Sequence, residues 1–434
     1  MTSPALHRLF RRLHFWGGLV GAPIVLFAAL TGLLYVFTPQ IEAWRHGHLD
    51  TVAAGPARVP LDQQVDAALA AAPDTALRHV VPGYAPGDST QVYVAAPHEH
   101  HTGASSHDHG LPTGSIVYVD PYTGRVLGQL PEMARFKTWA KKLHSSALQG
   151  QGWRWVMELG ASWMLVLFVT GLAMWWPRPQ REGGPGWRAL VPRLGRGRVT
   201  WRDLHATVAI ACGLVLAVVL VTGLTWSRHA GERFRVMQQA TGQEAPRLPK
   251  ALQSAPGDAP HLSWQAAWEH ARRDAPEVSL QLTAPAGAEG VWRAENFDRS
   301  QPDRRFTMAL DARTGQTLVH SGWAQLPALA KATAVGIPFH RAEYGVWNQV
   351  VLALVAVAAA FSAVSGLVMW WLRRPKGALA APPLAPADLR GVPVRWWATF
   401  AAMAVAMPVF GWSLLVMVVL EALRWLGSRR PRLA

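Results

Sequence analysis

The chain has 434 residues, of which 50% are hydrophobic and only 16% charged, a balance too apolar for an ordinary soluble protein of this length. Its formal net charge is +15, but the basic residues gather in short loops between apolar runs, which points to membrane topology and away from nucleic acid. Cys212 is the one cysteine and lies within an apolar run. That excludes internal disulfides, cysteine-ligated iron–sulfur clusters and Cys-x-x-Cys-His haem attachment. No Gly-x-Gly-x-x-Gly follows a strand pattern and no P-loop is present, so no nicotinamide, flavin or ATP site is expected.

Crossing a hydrocarbon layer of about 30 Å takes roughly 20 apolar residues. The first such run, near 13–37, follows Arg8, Arg11 and Arg12 without a small-residue cleavage site after it. It reads as a retained signal anchor, so 1–38 comprises a cytoplasmic end and the first span. Residues 39–143 then form an outward segment with a helix at 61–72, strands near 79–81 and 91–95, and a hairpin. That hairpin runs Ile116-Val117-Tyr118-Val119, turn Asp120-Pro121-Tyr122-Thr123-Gly124, Arg125-Val126-Leu127. Residues 144–176 carry the second span, near 155–176. The loop 177–203 holds Arg178, Arg181, Arg188, Arg193, Arg196, Arg198 and Arg202, which places it in the cytoplasm. A third span covers 204–226. The segment 227–339 repeats the outward plan: helix 264–273, strands at 278–282, 291–296, 306–310 and 317–320, with the turn Asp311-Ala312-Arg313-Thr314-Gly315. Stretches 245–260 and 284–290, rich in Pro and Gly, read as linker and loop. Residues 340–372 carry the fourth span. The loop 373–395 contains Arg373, Arg374, Lys376, Arg390 and Arg395, and is also cytoplasmic. A last apolar stretch, 396–426, broken by Pro408 and Gly411, is a fifth span or a re-entrant hairpin, with the span favoured. The basic tail is 427–434. The fold class expected is an internally duplicated α-helical membrane bundle of four to five spans with two periplasmic α+β domains, in a bacterial inner membrane.

One spacing organises these elements. Leu13-His14 with Thr31-Gly32 recurs as Leu204-His205 with Thr222-Gly223 at an offset of 191 residues, and the two turns share it. His144 and His340 each precede a run that ends in Met-Trp-Trp, at Met174–Trp176 and Met369–Trp371. Each copy thus keeps a histidine at each end of its helix pair. An imidazole at membrane depth costs a few kcal/mol on insertion scales and calls for a reason. Two matched pairs, His14 with His205 on the cytoplasmic side and His144 with His340 on the outer side, fit axial ligands of two non-covalent b haems. The plain alternative is interfacial histidines that touch headgroups or cap helices. His229 is an alternative outer ligand, and His7 reads as a solvated cytoplasmic histidine. Gly17, Gly18 and Gly21 give close approach to a macrocycle or to another helix. Trp175-Trp176 and Trp370-Trp371 read as an aromatic belt.

Leu13-His14 with Gly17-Gly18 and Thr31-Gly32, Leu143-His144, Asp203-Leu204-His205, Pro338-Phe339-His340 and the Asp-x-x-Thr-Gly turns together resemble the PepSY-associated transmembrane family over about 6–372. Its best-understood members are inner-membrane ferric-siderophore reductases. The resemblance implies two b haems in the bundle, PepSY-like periplasmic domains, and electrons passing from quinol or a cytoplasmic reductant to a periplasmic ferric siderophore, which releases Fe(II) for uptake. The expected partners are that chelate, the membrane lipid and the electron donor, with no nucleic acid.

His98, His100, His101, His107 and His109 form a separate signal with no counterpart in the second copy. Such a run binds zinc, copper or nickel, or is merely hydrophilic. Two other functions therefore stay open: a non-redox membrane protein whose PepSY domains bind a periplasmic partner, and a metal-uptake or sensing component built on this loop. Colour separates them from the reductase. The purified protein is expected to carry two acid-extractable b haems with low-spin spectra, and a colourless preparation from haem-replete cells would rule the redox reading out.

Overall fold

The computed structural model describes residues 3–95, 111–176, 191–195, 197–249, 251–275 and 277–428. In chain order its first half contains α1 (Pro4–Val36), α2 (Thr38–Asp50), α3 (Leu61–Ala71), β1 (Ala76–Val81), β2 (Thr90–Ala95), β3 (Ser115–Val119), β4 (Val126–Pro131), α4 (Phe136–Ser146) and α5 (Arg154–Trp175). The second half contains α6 (Arg198–Leu224), α7 (His229–Ala240), α8 (Trp264–Asp274), β5 (Leu280–Thr283), β6 (Val291–Asn296), β7 (Phe306–Asp311), β8 (Thr317–Gly322), α9 (Ala328–His340) and α10 (Val346–Arg373). Three helices follow: α11 (Pro386–Arg390), α12 (Val394–Ala406) and α13 (Pro408–Ser428). Two compact units result. Met1–Val36, His144–Ala240 and Gly345–Ala434 form a helical unit; Phe37–Leu143 and Thr241–Tyr344 form a sheet unit.

Among the described residues, five helices of the helical unit are long and apolar enough to cross a membrane: Pro4–Val36, Gln151–Trp175, Arg198–Leu224, Val346–Arg373 and Pro408–Leu426. This is a multi-pass membrane protein. Four of them close a ring in which α1 and α6 each pack against both α5 and α10. Between lipid-facing helices close packing replaces the hydrophobic drive, so small residues sit where backbones or rings approach. A Cβ at Gly17 would overlap the Trp163 indole, and one at Gly213 would overlap Phe168. Gly17 is therefore explained by helix packing, the second of the two roles that the sequence allowed it.

Helix α1 begins nine residues before the expected span. Leu6, Leu9, Phe10 and Leu13 are buried in an apolar cluster that also takes in Val392 and Trp396, so these first turns have an apolar partner that no local pattern announces. The stretch 396–426 is two helices, α12 and α13, which part at Pro408, whose ring removes a ladder donor. Trp396 packs edge-on to Phe10 at 5.0 Å, and Glu421 near the other end bonds Arg12. The bend, with Phe400, Met407 and Phe410, lies with Leu224 and Ala230 at the far end of α6. The pair is a helical hairpin whose two ends lie beside the first turns of α1. Arg12 reads from sequence as a topological charge, yet it is buried. It donates to both oxygens of Glu421 at 2.6 and 2.7 Å and to the Pro382 carbonyl, while Trp16 Nε1 adds a bond at 2.9 Å. Such a pair is tolerated in a low dielectric because each polar group has a partner.

The sheet unit gathers both segments between the spans into one antiparallel sheet, β4-β3-β2-β1-β5-β6-β7-β8. The two four-stranded halves meet at β1 and β5 through Val80 opposite Leu282. Alternation sends Val80, Val92, Val117, Leu282, Ala294 and Met308 to one face, where they bury Leu61, Val65 and Ala68 of α3 with Ala267, Trp268 and Ala271 of α8. The two Thr-Gly turns are alike. Asp120 and Asp311 each accept from the backbone N–H two residues on at 2.9 Å, and Gly124 and Gly315 both have φ of 71°, a region where glycine avoids the Cβ clash.

The helices of the two halves cap one another. Asp62, in the first turn of α3, accepts from the N–H groups of Trp264 (2.8 Å) and Gln265 (3.1 Å), which open α8. Gln265 Oε1 in return accepts from Leu61 N–H at 2.9 Å. Each first turn supplies the acceptor that the other's unpaired donors require. Asp62→Ala is expected to destabilise the sheet unit by about 1 kcal/mol, read as earlier proteolytic opening of that unit in the full-length protein. Opening at the wild-type denaturant concentration would argue against reciprocal capping.

Candidate functional site

Three of the four predicted histidines lie in the helical unit, and the same arrangement holds each. His14 Nδ1 of α1 is 3.1 Å from the Thr170 hydroxyl of α5. His205 Nδ1 of α6 is 2.8 Å from the Ser365 hydroxyl of α10. His144 Nδ1 of α4 is 3.0 Å from the Thr31 hydroxyl of α1. These hydroxyls are already committed as donors within their own helices: Thr170 to the Val166 carbonyl at 2.8 Å, Thr31 to that of Phe27 at 2.8 Å, and Ser365 to that of Ser362 at 3.2 Å. A hydroxyl has a single hydrogen, so toward the imidazole each one accepts. The imidazole must then carry its proton on Nδ1. Its Nε2 is then the unprotonated nitrogen, the state in which histidine binds a metal.

A glycine follows each hydroxyl and makes room for the ring. A Cβ at Gly171 would stand 3.3 Å from His14 Cε1, one at Gly32 would stand 3.4 Å from His144 Cε1, and one at Gly366 would stand 3.8 Å from His205 Cε1. The contacting unit is thus a Thr-Gly or Ser-Gly dipeptide on one helix and a histidine on its neighbour. Thr222-Gly223, the remaining dipeptide of the repeat, lies in α6 with its hydroxyl on the Val218 carbonyl at 2.8 Å.

His14 and His205 come together, their ring centroids 6.4 Å apart and their planes at 79°. Metal–imidazole bonds of about 2 Å on opposite sides of one iron put ring centres roughly 6 to 7 Å apart. The residues present therefore fit the bis-imidazole site that the sequence implied there. Two side chains are fewer than the three or four that a protein-only zinc or copper site uses. Among the described residues no group of three or more His, Cys, Asp or Glu converges to make one. The donor set suits a group that brings its own equatorial nitrogens.

The other candidates fall elsewhere. His340 ends α9 in the sheet unit, with Arg341 as its C-cap. His229 opens α7, where its backbone N–H and that of Ala230 donate to the buried Glu158 carboxylate at 2.8 and 2.9 Å; this anion at a helix N-terminus is a structural cap. His7 is in α1, two turns before His14. His98, His100, His101, His107 and His109 lie outside the described residues, as do Arg178, Arg181, Arg188 and Arg196. In the aromatic belt, Trp370 Nε1 donates to the Leu379 carbonyl at 2.9 Å and the Arg374 guanidinium lies 3.8 Å from the Trp371 ring centre.

Thr170 and Ser365 were not singled out from the sequence, although a signal existed. Thr170-Gly171 and Ser365-Gly366 are 195 residues apart, the offset that Met174 and Met369 already mark.

The model of the PepSY-associated TM region matches residues 11–373. The chain belongs to that family. No curated protein sequence matches it. The family's match runs from the first turns of α1 to the last residue of α10, so it takes in every histidine–hydroxyl pair and leaves the α12–α13 hairpin outside. Thr170→Val keeps the side-chain volume and removes the acceptor. It is expected to leave a buried N–H unpaired at a cost of about 1–3 kcal/mol, and to convert the His14 ring-nitrogen NMR signals from one tautomer to a mixture. An unaltered single tautomer would mean that Thr170 does not set it.

Proposed function

We propose that this chain is a haem b oxidoreductase of the bacterial inner membrane that passes electrons to a periplasmic ferric siderophore and so releases Fe(II) for uptake. The observation that carries the reading is the His14–His205 pair, two imidazoles 6.4 Å apart whose Nδ1 atoms are tied to Thr170 and Ser365. One b haem would be held by His14 and His205. The second haem rests on the sequence repeat alone, which pairs His144 with His340; within the helical unit Thr31 orients His144.

When bound, the haem supplies one-electron transfer between Fe(III) and Fe(II) states. The protein's own residues do the rest. Ligation by the two imidazoles of His14 and His205 would favour electron transfer over oxygen activation. The Nδ1–H bonds hold the ligands neutral and fix their orientation, and a hydrogen-bonded second partner of this kind raises ligand basicity. Val166, Leu216, Val355 and Ala359 keep the neighbouring interior apolar, which holds water from the path. The basic residues Arg193 and Arg202, both paired with the buried Asp203 just before His205, fit the cytoplasmic side. The segments 37–143 and 241–344, which follow α1 and α6 in the chain, would then be periplasmic.

Pairing and direction are tested together. His14→Ala and His205→Ala should each abolish the same haem signal and leave the other. The reduced wild-type protein should be reoxidised by a ferric siderophore and not by its gallium analogue, which matches the charge and size of the iron complex but takes no electron. Retention of both haems in either variant would break the assigned pair, and no reoxidation by any ferric chelate would remove the reductase assignment.

A further inference from the structure

Trp175 and Trp370 occupy matching positions of the repeat, yet their indoles are used differently. Trp370 Nε1 donates to the Leu379 carbonyl at 2.9 Å, whereas Trp175 Nε1 is buried with no acceptor among the described residues. Arg373 repeats the pattern. Its Nη2 donates to the Ala380 carbonyl at 2.9 Å, while its buried Nε has no acceptor there. A buried N–H left unpaired costs about 1–3 kcal/mol, so each of these donors calls for an acceptor.

Both donors follow the glycines that seat the imidazoles. A Cβ at Gly171 would stand 3.3 Å from His14 Cε1. Trp175 is four residues on, so it lies on the same face of α5, one turn further toward the helix end. A Cβ at Gly366 would stand 3.8 Å from His205 Cε1. Trp370 and Arg373, four and seven residues on, continue that face of α10. The Arg373 guanidinium also lies 5.5 Å from the ring centre of Phe15, the residue after His14. At 1.5 Å per residue the donors stand about 6 and 10 Å along their helices from the two glycines.

The described acids near this end are already taken. Asp203 holds Arg193 and Arg202, Glu421 holds Arg12 and Trp16, and Asp388 holds Arg8. Two other unpaired donors, Arg8 Nε and Trp396 Nε1, belong to the contact of the first turns of α1 with α11 and α12, not to the faces of Gly171 and Gly366.

Axial ligands stand on opposite faces of a macrocycle. With His14 on α1 and His205 on α6, the rim of a haem would face α5 and α10, each of which packs against both ligand-bearing helices. A b haem carries two carboxylates on one edge of its rim, and a charge at the hydrocarbon centre is costly, so that edge belongs at a bundle end. We propose that Trp175 Nε1 and Arg373 Nε, one on each flanking helix, receive the two propionates of the inner haem and so fix which edge of the macrocycle faces this end. A guanidinium N–H makes a charge-assisted bond to a carboxylate, and the indole N–H can only donate. The proposal rests on the haem reading of the His14–His205 pair and adds the orientation of the bound group.

The test uses full-length apoprotein in phosphatidylcholine nanodiscs, carrying His144→Ala so that only the inner site fills. It is titrated with iron protoporphyrin IX and with the dimethyl ester, whose carboxylates are capped. The diacid should bind roughly tenfold more tightly than the diester. Arg373→Gln and Trp175→Phe should each shrink that preference about threefold or more, and Arg373→Lys should restore part of it. Every variant should bind the diester as its parent does, with the low-spin spectrum of two imidazoles, which shows that the pocket is folded. Equal binding of diacid and diester by the parent, or a preference unmoved by both substitutions, would overturn the anchors and leave the haem site standing. Binding of neither porphyrin would remove both. Phosphatidylglycerol that co-purifies with the parent and is lost from Arg373→Gln, with the porphyrin preference unchanged, would assign the donors to a lipid headgroup and end the proposal.

Discussion

An imidazole N–H inside an apolar helical bundle must find an acceptor, and the helices' own carbonyls are largely spent on their i→i−4 bonds. The structure meets this demand with hydroxyls. A threonine or serine that bonds back to its own helix has one lone pair left facing outward, and that lone pair receives the ring N–H of a neighbouring helix. Much of the bundle's arrangement follows. The hydroxyl must face the adjacent helix, the next residue must be glycine so that the ring can settle, and the two helices must approach closely enough for both. His14, His144 and His205 each meet these conditions. The bond also decides the chemistry, because it leaves Nε2 as the only nitrogen able to act as a ligand.

Duplication supplies the same geometry repeatedly. The Asp-x-x-Thr-Gly turns close with the same hydrogen bonds and the same left-handed glycine in both halves. In the helical unit the repeat relates α1 to α6 and α5 to α10, so the pair His14–Thr170 has its counterpart in His205–Ser365. Pairing two copies face to face is what brings one histidine from each to within 6.4 Å. A single copy holds only one of these two rings.

The spans and strands were legible because their periodicities are local: long apolar runs for α5, α6 and α10, and alternation with Thr-Gly turns for β1 to β8. What escaped the sequence rests on partners far away in it. Arg8, Arg11 and Arg12 read as a flanking charge cluster, yet Arg12 is buried by Glu421, 409 residues on. The early start of α1 follows from that contact and from Phe10 against Trp396. The merging of the two segments between the spans into one sheet depends on β1 meeting β5, which no hairpin signal predicts. All four histidines were singled out from the repeat alone, and three of them meet a hydroxyl at Nδ1. Their hydroxyl partners could have been, since Thr170-Gly171 and Ser365-Gly366 keep the repeat's spacing, but a Thr-Gly in an apolar run looks like any small-residue helix contact.

The joint between β1 and β5, with the exchanged caps of Asp62 and Gln265, makes each half the guardian of the other. Alone, a four-stranded half would expose β1 or β5 as an open edge of unpaired N–H and C=O groups, a template for promiscuous strand addition. Its helix would also lose the acceptor that the partner half donates. Once two copies were joined in one chain, the surface of either became the interior of both. Neither copy can then be discarded without turning the survivor into an aggregation hazard, and the fused gene is locked in as a pair.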